Sequence, residues 1–213
     1  ISNVNVSVTN VKLPDPERVF TKADYHTTIF EPIKRAIRPH DTNNILDHHF
    51  LNSRGAIARF DRNAIEIRLV DIQESPKADI AICVLIIEVL KLLVDKKLGS
   101  IQQQKKWQKQ DLFDILNPII KNAETFKVTN LEYLKLFNIE KDSTVQNIWK
   151  HLYDLAKPNI HESHHDALDI ILTQGTLASR ILKAVGSDYS EQNISKVYTQ
   201  LAKCLHANTM FEP

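Results

Sequence analysis

Ala64-Ile65-Glu66-Ile67-Arg68-Leu69-Val70-Asp71-Ile72-Gln73 is the stretch from which the fold is read. Ile65, Ile67 and Leu69 alternate with Glu66, Arg68 and Val70, and a further apolar residue follows at Ile72. Alternation of this kind predicts a β-strand with its apolar face on a core. Glu66 and Arg68 then share the other face, about 6.6 Å apart along the strand. Such a pair can neutralise itself. It can also share a polyanionic ligand, the carboxylate through a hard divalent cation and the guanidinium directly. Spacing alone favours the structural pair, because ion pairs on sheets are common.

Upstream, residues 56–60 read as a short strand and Asp61-Arg62-Asn63 as a tight turn, which makes residues 64–73 the antiparallel partner. The hairpin gathers Arg54, Arg59, Glu66 and Arg68 into one neighbourhood. Nearer the start, Val4, Val6 and Val8 alternate with polar residues as a first strand, and Pro14-Asp15-Pro16 marks a turn. Asp24 is expected to cap a helix from Tyr25 to about Ala36, with Pro32 kinking it.

Downstream, Ser75-Pro76 has the form of an N-cap followed by proline at the first helical position. The helix that follows is apolar almost all round until Glu88 and Lys91, and runs to about Leu98, before Gly99. It is too short and too interrupted to span a bilayer, so it is expected to be buried against the sheet. After Gly99 the strand signals stop. Amphipathic helices are expected over residues 101–120, 130–137, 143–157, 161–172, 176–185 and 191–207. The predicted class is therefore α+β, with residues 1–99 forming a sheet-and-helix part and residues 100–213 a helical lobe.

Composition narrows the function. With 43% hydrophobic residues, 25% charged and a net charge of +1 over 213 residues, this is ordinary globular material. No global field calls for nucleic acid or an anionic membrane, and Lys105-Lys106-Trp107-Gln108-Lys109 is a short basic run on a helix face. Four glycines form neither GxGxxG nor GxxxxGK, so Rossmann and P-loop sites are unsupported. Cys83 and Cys204 lie far apart in apolar surroundings, which predicts buried free thiols and a cytoplasmic setting.

Two histidine groups carry metal-ligating chemistry. His48-His49 follow Asp47, but adjacent residues on a strand would point to opposite faces. His161, His164 and His165 share one helix face, without the HExxH order of a zinc protease. Solvated surface is the favoured reading of both. No Gly-x-Ser-x-Gly elbow is present, and no histidine is placed by motif to activate a cysteine.

Ile65-Glu66-Ile67-Arg68-Leu69-Val70-Asp71, after an arginine-containing strand and before a hydrophobic helix, resembles the glutamate–cysteine ligase superfamily in its bacterial carboxylate–amine ligase branch. Residues 131–137 and 175–182 resemble the same group, so the likeness runs from about Tyr25 onward. The resemblance implies a glutamine synthetase-like antiparallel sheet with a concave active site. It implies ATP- and Mg²⁺-dependent amide formation through an acyl phosphate, with glutamate the first choice of carboxylate, cysteine the first choice of amine, and glutathione-type thiol synthesis the best-known role. Glu66 would be a Mg²⁺ ligand and Arg68 would contact the transferred phosphate. Asp71 would support Arg68, and Arg54 and Arg59 would line the nucleotide side. Such enzymes are longer, and their N-terminal half supplies further acidic ligands. This chain is thus expected to be a C-terminal half completed by a missing half or a second chain, with homo-oligomerisation open. The alternative is a non-catalytic half-domain used for assembly or regulation.

Overall fold

The computed structural model describes residues 19–213, so the strand expected at residues 4–8 and the turn at residues 14–16 lie outside the described residues. The chain divides into two compact units between Asp71 and Ile72, with Gln108–Gln110 grouped with the first. The division falls upstream of Gly99, and the helix expected to lie on the sheet belongs to the helical unit.

The first unit opens with a helical run in three pieces: α1 (Lys22–Tyr25), a π-helical turn (His26–Phe30) and α2 (Glu31–Ile37). Thr21 is the N-cap, its side chain accepting from the Asp24 N–H, so the cap lies three residues before the expected Asp24. Pro32 follows the widened turn; lacking an N–H, it cannot close the regular ladder there. A single turn, α3 (His48–Leu51), is capped by Asp47. The hairpin follows, β1 (Ala56–Arg59) against β2 (Ala64–Ile67), with Ile57 opposite Glu66 and Arg59 opposite Ala64. Asn63 takes the left-handed conformation in the connecting turn, one of the few residue types that does so at low cost. Regular pairing ends at Ile67; the Arg68 N–H adds one more bond to the Gly55 carbonyl at 2.8 Å.

Register fixes the faces. Cross-strand partners point to the same side, so Ile57, Arg59, Glu66 and Arg68 share one face and Ala56, Ala58, Ile65 and Ile67 the other. Ile57 is 2% exposed, whereas Ile65 is 62% exposed and Leu69 57%. The face expected on the core is thus the open one, and the charged face is the more covered, with Glu66 and Arg68 left partly exposed. The reason lies in the neighbours. Ile29, Phe30 and Ile57 are buried, Tyr25 sets its edge on Phe30 at 5.1 Å and on Phe60 at 5.3 Å, and the arginines find acceptors in Glu66 and the Asn52 carbonyl.

The second unit is organised on α4 (Pro76–Val94). Ser75 caps it, and the otherwise orphaned Lys77 N–H donates to Asn208 Oδ1 at 2.8 Å. It stops at Val94 rather than Leu98 because Lys96 turns left-handed and the Lys97 N–H folds back to the Leu92 carbonyl. Then come α5 (Ile101–Lys105) and α6 (Lys109–Asn122), expected as one helix. The break falls where Trp107 packs against the core, edge-on to Tyr133. Two-residue strands, β3 (Lys127–Val128) and β4 (Ser143–Thr144), pair antiparallel on either side of α7 (Leu131–Lys135). They are too short to leave a period in the sequence. The chain finishes with α8 (Val145–Ala156), α9 (His165–Gln174), α10 (Leu177–Val185) and α11 (Glu191–Ala207).

Ala81, Leu85, Val89 and Leu92 of α4 pack with Ile148, Leu152 and Ala156 of α8 and Ala167 and Leu168 of α9. Each large side chain buried there contributes about 1.5–3 kcal/mol. Helix α4 is not buried all round: Ile80, Cys83, Ile87, Leu90 and Val94 form an exposed stripe at helical spacing, and Cys83 is therefore an exposed thiol. The class is mixed, helices with two small antiparallel sheets. Among the described residues no helix is long and apolar enough to cross a membrane.

Candidate functional site

Glu66 is the centre of the first unit's polar network. Its Oε1 accepts from Arg68 Nε and its Oε2 from Arg59 Nη1, both at 2.8 Å. Arg59, the last residue of β1, also clasps Asp61 with Nε and Nη2 at 3.1 and 3.0 Å. Arg68 continues from Glu66 to the carbonyls of Asn52 at 2.6 Å and His49 at 3.0 Å. Arg54 reaches the Oδ1 of the same Asn52 at 2.9 Å. Asn52 is fully buried and donates to the Tyr25 hydroxyl, which also accepts from the Ala58 N–H. Backbone and side chains thus hold both guanidinium planes beside one carboxylate. Asp71 lies on the exposed stretch after β2.

These contacts set the charges. Arg68 first and Arg59 second hold the Glu66 carboxyl below its ordinary range, since hydrogen bonds from cations favour the ionised form. Arg59 pulls Asp61 down to about 2, and Asp61 and Glu66 in turn raise Arg59.

A second cluster adjoins the first through Asp61. His49 Nε2 is 3.6 Å from Asp61 Oδ1, while His49 Nδ1 is 2.9 Å and His48 Nδ1 3.4 Å from Asp47 Oδ1. The residues belong to a capped helical turn, not the expected strand, so their side chains are not splayed to opposite faces. Burial lowers the His48 pKa, with His49 and Lys34 adding repulsion, and the His49 N–H lowers that of Asp47. Among the described residues, Asp47, His48 and His49 are the group whose ligand atoms converge closely enough for a metal. The other group is spoken for locally: His161 Nδ1 pairs with Ser163 Oγ, and His165 Nε2 meets the Ile160 carbonyl.

In the second unit, Arg180 of the 175–182 stretch is fully buried. It donates to the Glu74 carboxylate and to the carbonyls of Phe211 and Gly175, while Glu74 accepts from the Phe211 N–H. This clamp ties the start of α4, the start of α10 and the C-terminal segment together. Asn52, Asp61 and Glu74 carry no local signal of these contacts, whereas the Asp47-His48-His49 cluster is legible in the sequence but is set aside there as a strand; the cap-like Asp before His48 is the sign of a turn.

No family model and no solved structure matches the chain. It is similar to an uncharacterised protein of Archaeoglobus fulgidus, 25% identical over 157 residues that cover 68% of this chain and 41% of the relative. The chain therefore spans less than half the length of that curated relative.

Proposed function

We propose that this chain carries part of an ATP- and Mg²⁺-dependent carboxylate–amine ligase of the glutamate–cysteine type, built on a glutamine synthetase-like sheet. One observation carries the reading. Glu66 lies between Arg59 and Arg68 on a charged hairpin face, with all three side chains held from behind.

The donor set fits the ligands such a reaction needs. A carboxylate has about four lone-pair sites, and each Glu66 oxygen accepts one guanidinium N–H, so capacity for a cation remains. The Glu66 side chain is 36% exposed and its low pKa keeps it ionised. Mg²⁺ is commonly held by about one or two carboxylates together with phosphate oxygens, and Glu66 would be one of them. Arg68, its side chain 26% exposed, keeps an N–H on each terminal nitrogen beyond its contacts to the Asn52 and His49 carbonyls, while Arg59, 10% exposed, is held by Asp61 and Glu66 and adds its charge from behind. ATP, when bound, supplies the γ-phosphoryl group that the substrate carboxylate takes up as ADP departs, and the amine then displaces phosphate and gives up a proton. The two arginines would hold positive charge where phosphoryl charge develops, pre-positioned by Asn52, His49 and Asp61. Arg54, through Asn52, and Asp71 are assigned supporting roles. Further acidic ligands would come from sequence outside this chain, in keeping with its 41% span of the archaeal relative.

The test is phosphate release from ATP by the full-length gene product with Mg²⁺, glutamate and a panel of amines, run beside Glu66→Gln. Amine-dependent release that collapses in the variant is expected. A folded full-length protein that releases no phosphate with any amine would sink the ligase.

A second reading, a non-catalytic half-domain used in assembly, is favoured by a separate observation. Ile65, Ile67 and Leu69 in the first unit, and the Ile80–Val94 stripe in the second, are apolar surfaces open to solvent. Apolar patches of this kind mark places where another chain or segment docks.

A further inference from the structure

The convergence at Asp47 supports a site of its own, independent of the ligase reading. Ligand atoms of Asp47, His48 and His49 all lie within 4.8 Å of one another. A tetrahedral metal with bonds of about 2.0–2.1 Å sets its ligands roughly 3.4 Å apart; Asp47 Oδ1 lies 3.4 Å from His48 Nδ1, and its 2.9 Å hydrogen bond to His49 Nδ1 would open by about 0.5 Å to admit the ion. The rings are held as a pair, centroids 4.2 Å apart, by the edge of Phe30 at 4.5 Å from His48 and 5.0 Å from His49. The carboxylate is fixed by the His49 N–H at 2.8 Å.

A further observation points to a ligand. With Nδ1 of His49 hydrogen-bonded to Asp47, its Nε2 faces Asp61 Oδ1 at 3.6 Å, just outside hydrogen-bond distance. Metal-bound histidines characteristically offer their second nitrogen to a carboxylate, which fixes the tautomer and strengthens the ligand. Asp61 is itself anchored by Arg59.

We propose that Asp47, His48 and His49 bind one divalent transition cation of the zinc class, with Asp61 as the outer carboxylate to His49. Two imidazoles and one carboxylate suit Zn²⁺ and Co²⁺, whereas Mg²⁺ demands an all-oxygen shell. Three protein ligands leave a fourth position for water, and Asp47, half exposed, leaves solvent a way in. The site is distinct from Glu66 yet joined to it through Asp61 and Arg59.

The test is titration of the chelator-stripped chain with Co²⁺, read by the visible absorption of four-coordinate cobalt, followed by displacement with Zn²⁺. One equivalent is expected to bind. His48→Ala and His49→Ala are expected to abolish the signal. Asp47→Asn, which preserves the helix cap, is expected to weaken binding at least tenfold, and Asp61→Asn by about 10–100-fold. His161→Ala is expected to change nothing. Should the histidine variants fail to fold, Asp47→Asn decides alone. Absence of a stoichiometric cobalt signal, unchanged affinity in Asp47→Asn, or loss of the signal in His161→Ala would each overturn the site.

Discussion

Ile57 and Glu66 stand directly opposite each other across the hairpin, so a nearly buried isoleucine and the carboxylate held by Arg59 and Arg68 occupy the same face. The hairpin therefore buries Ile57 and Arg59, leaves Glu66 and Arg68 of the same face partly exposed, and carries its aliphatic side outward.

Substitutions on the two faces should separate cleanly. Ile57→Ala removes fully buried methyl groups and is expected to cost about 2–5 kcal/mol. Ile65→Thr on the open face is expected to stay within about 0.5 kcal/mol. Urea unfolding of the two variants measures the difference, and equal losses would mean that the Ile65 side is covered.

Arg68 spans three acceptors with a planar fork that a lysine cannot reproduce. Under the ligase reading, Arg68→Lys in the full-length protein is expected to lower amine-dependent phosphate release on the order of 10²–10³-fold. Ile65→Thr is expected to leave the rate near its original value. A wild-type rate in Arg68→Lys would remove the arginine from the chemistry.

Acid should loosen the hairpin in a defined window. Glu66 and Asp61 have folded-state pKa values below their ordinary 4.5 and 3.8, Asp61 near 2, so in acid the unfolded chain binds more protons. Their stabilisation is complete above about pH 4.5 and disappears as the pH falls toward about 2. Melting curves of the wild type and Asp61→Asn should differ at neutral pH and converge in that window. A gap that persists at the acid end would refute the assignment.

The Glu74–Arg180 pair should behave as a unit. Glu74→Ala leaves a buried guanidinium without its counter-charge and is expected to cost about 3–5 kcal/mol, and Arg180→Ala a similar amount. The double variant should lose much less than the sum, which a thermodynamic cycle would measure. Simple additivity would show that the two side chains act separately.

Local signals were legible where the chemistry is local. Ser75-Pro76 reads as a helix start and is one, and Asp61-Arg62-Asn63 reads as a hairpin turn because Asn63 tolerates the left-handed conformation. Asp24 misled because Thr21, three residues earlier, offers an equally good capping oxygen. His48 and His49 misled because an assumed strand would splay them, while the Asp47 cap winds them into one turn.

Period, parity and turn chemistry are carried by neighbouring residues, so the sequence by itself determined that Glu66 and Arg68 share a face and that a hairpin turns at residues 61–63, though it ran the second strand on to residue 73 where pairing stops at Ile67. Which face turns inward was decided only in three dimensions. Phe30 and Tyr25 lie far from β2 in the chain, and the acceptors for Arg68 are the Asn52 and His49 carbonyls, so burial of the charged side depends on groups that strand periodicity does not register. The same holds in the second unit, where α4 packs on α8 and α9 and Glu74 finds Arg180 across 106 residues of sequence. A buried charge survives only where folding delivers its partner, and that delivery is a property of the tertiary structure.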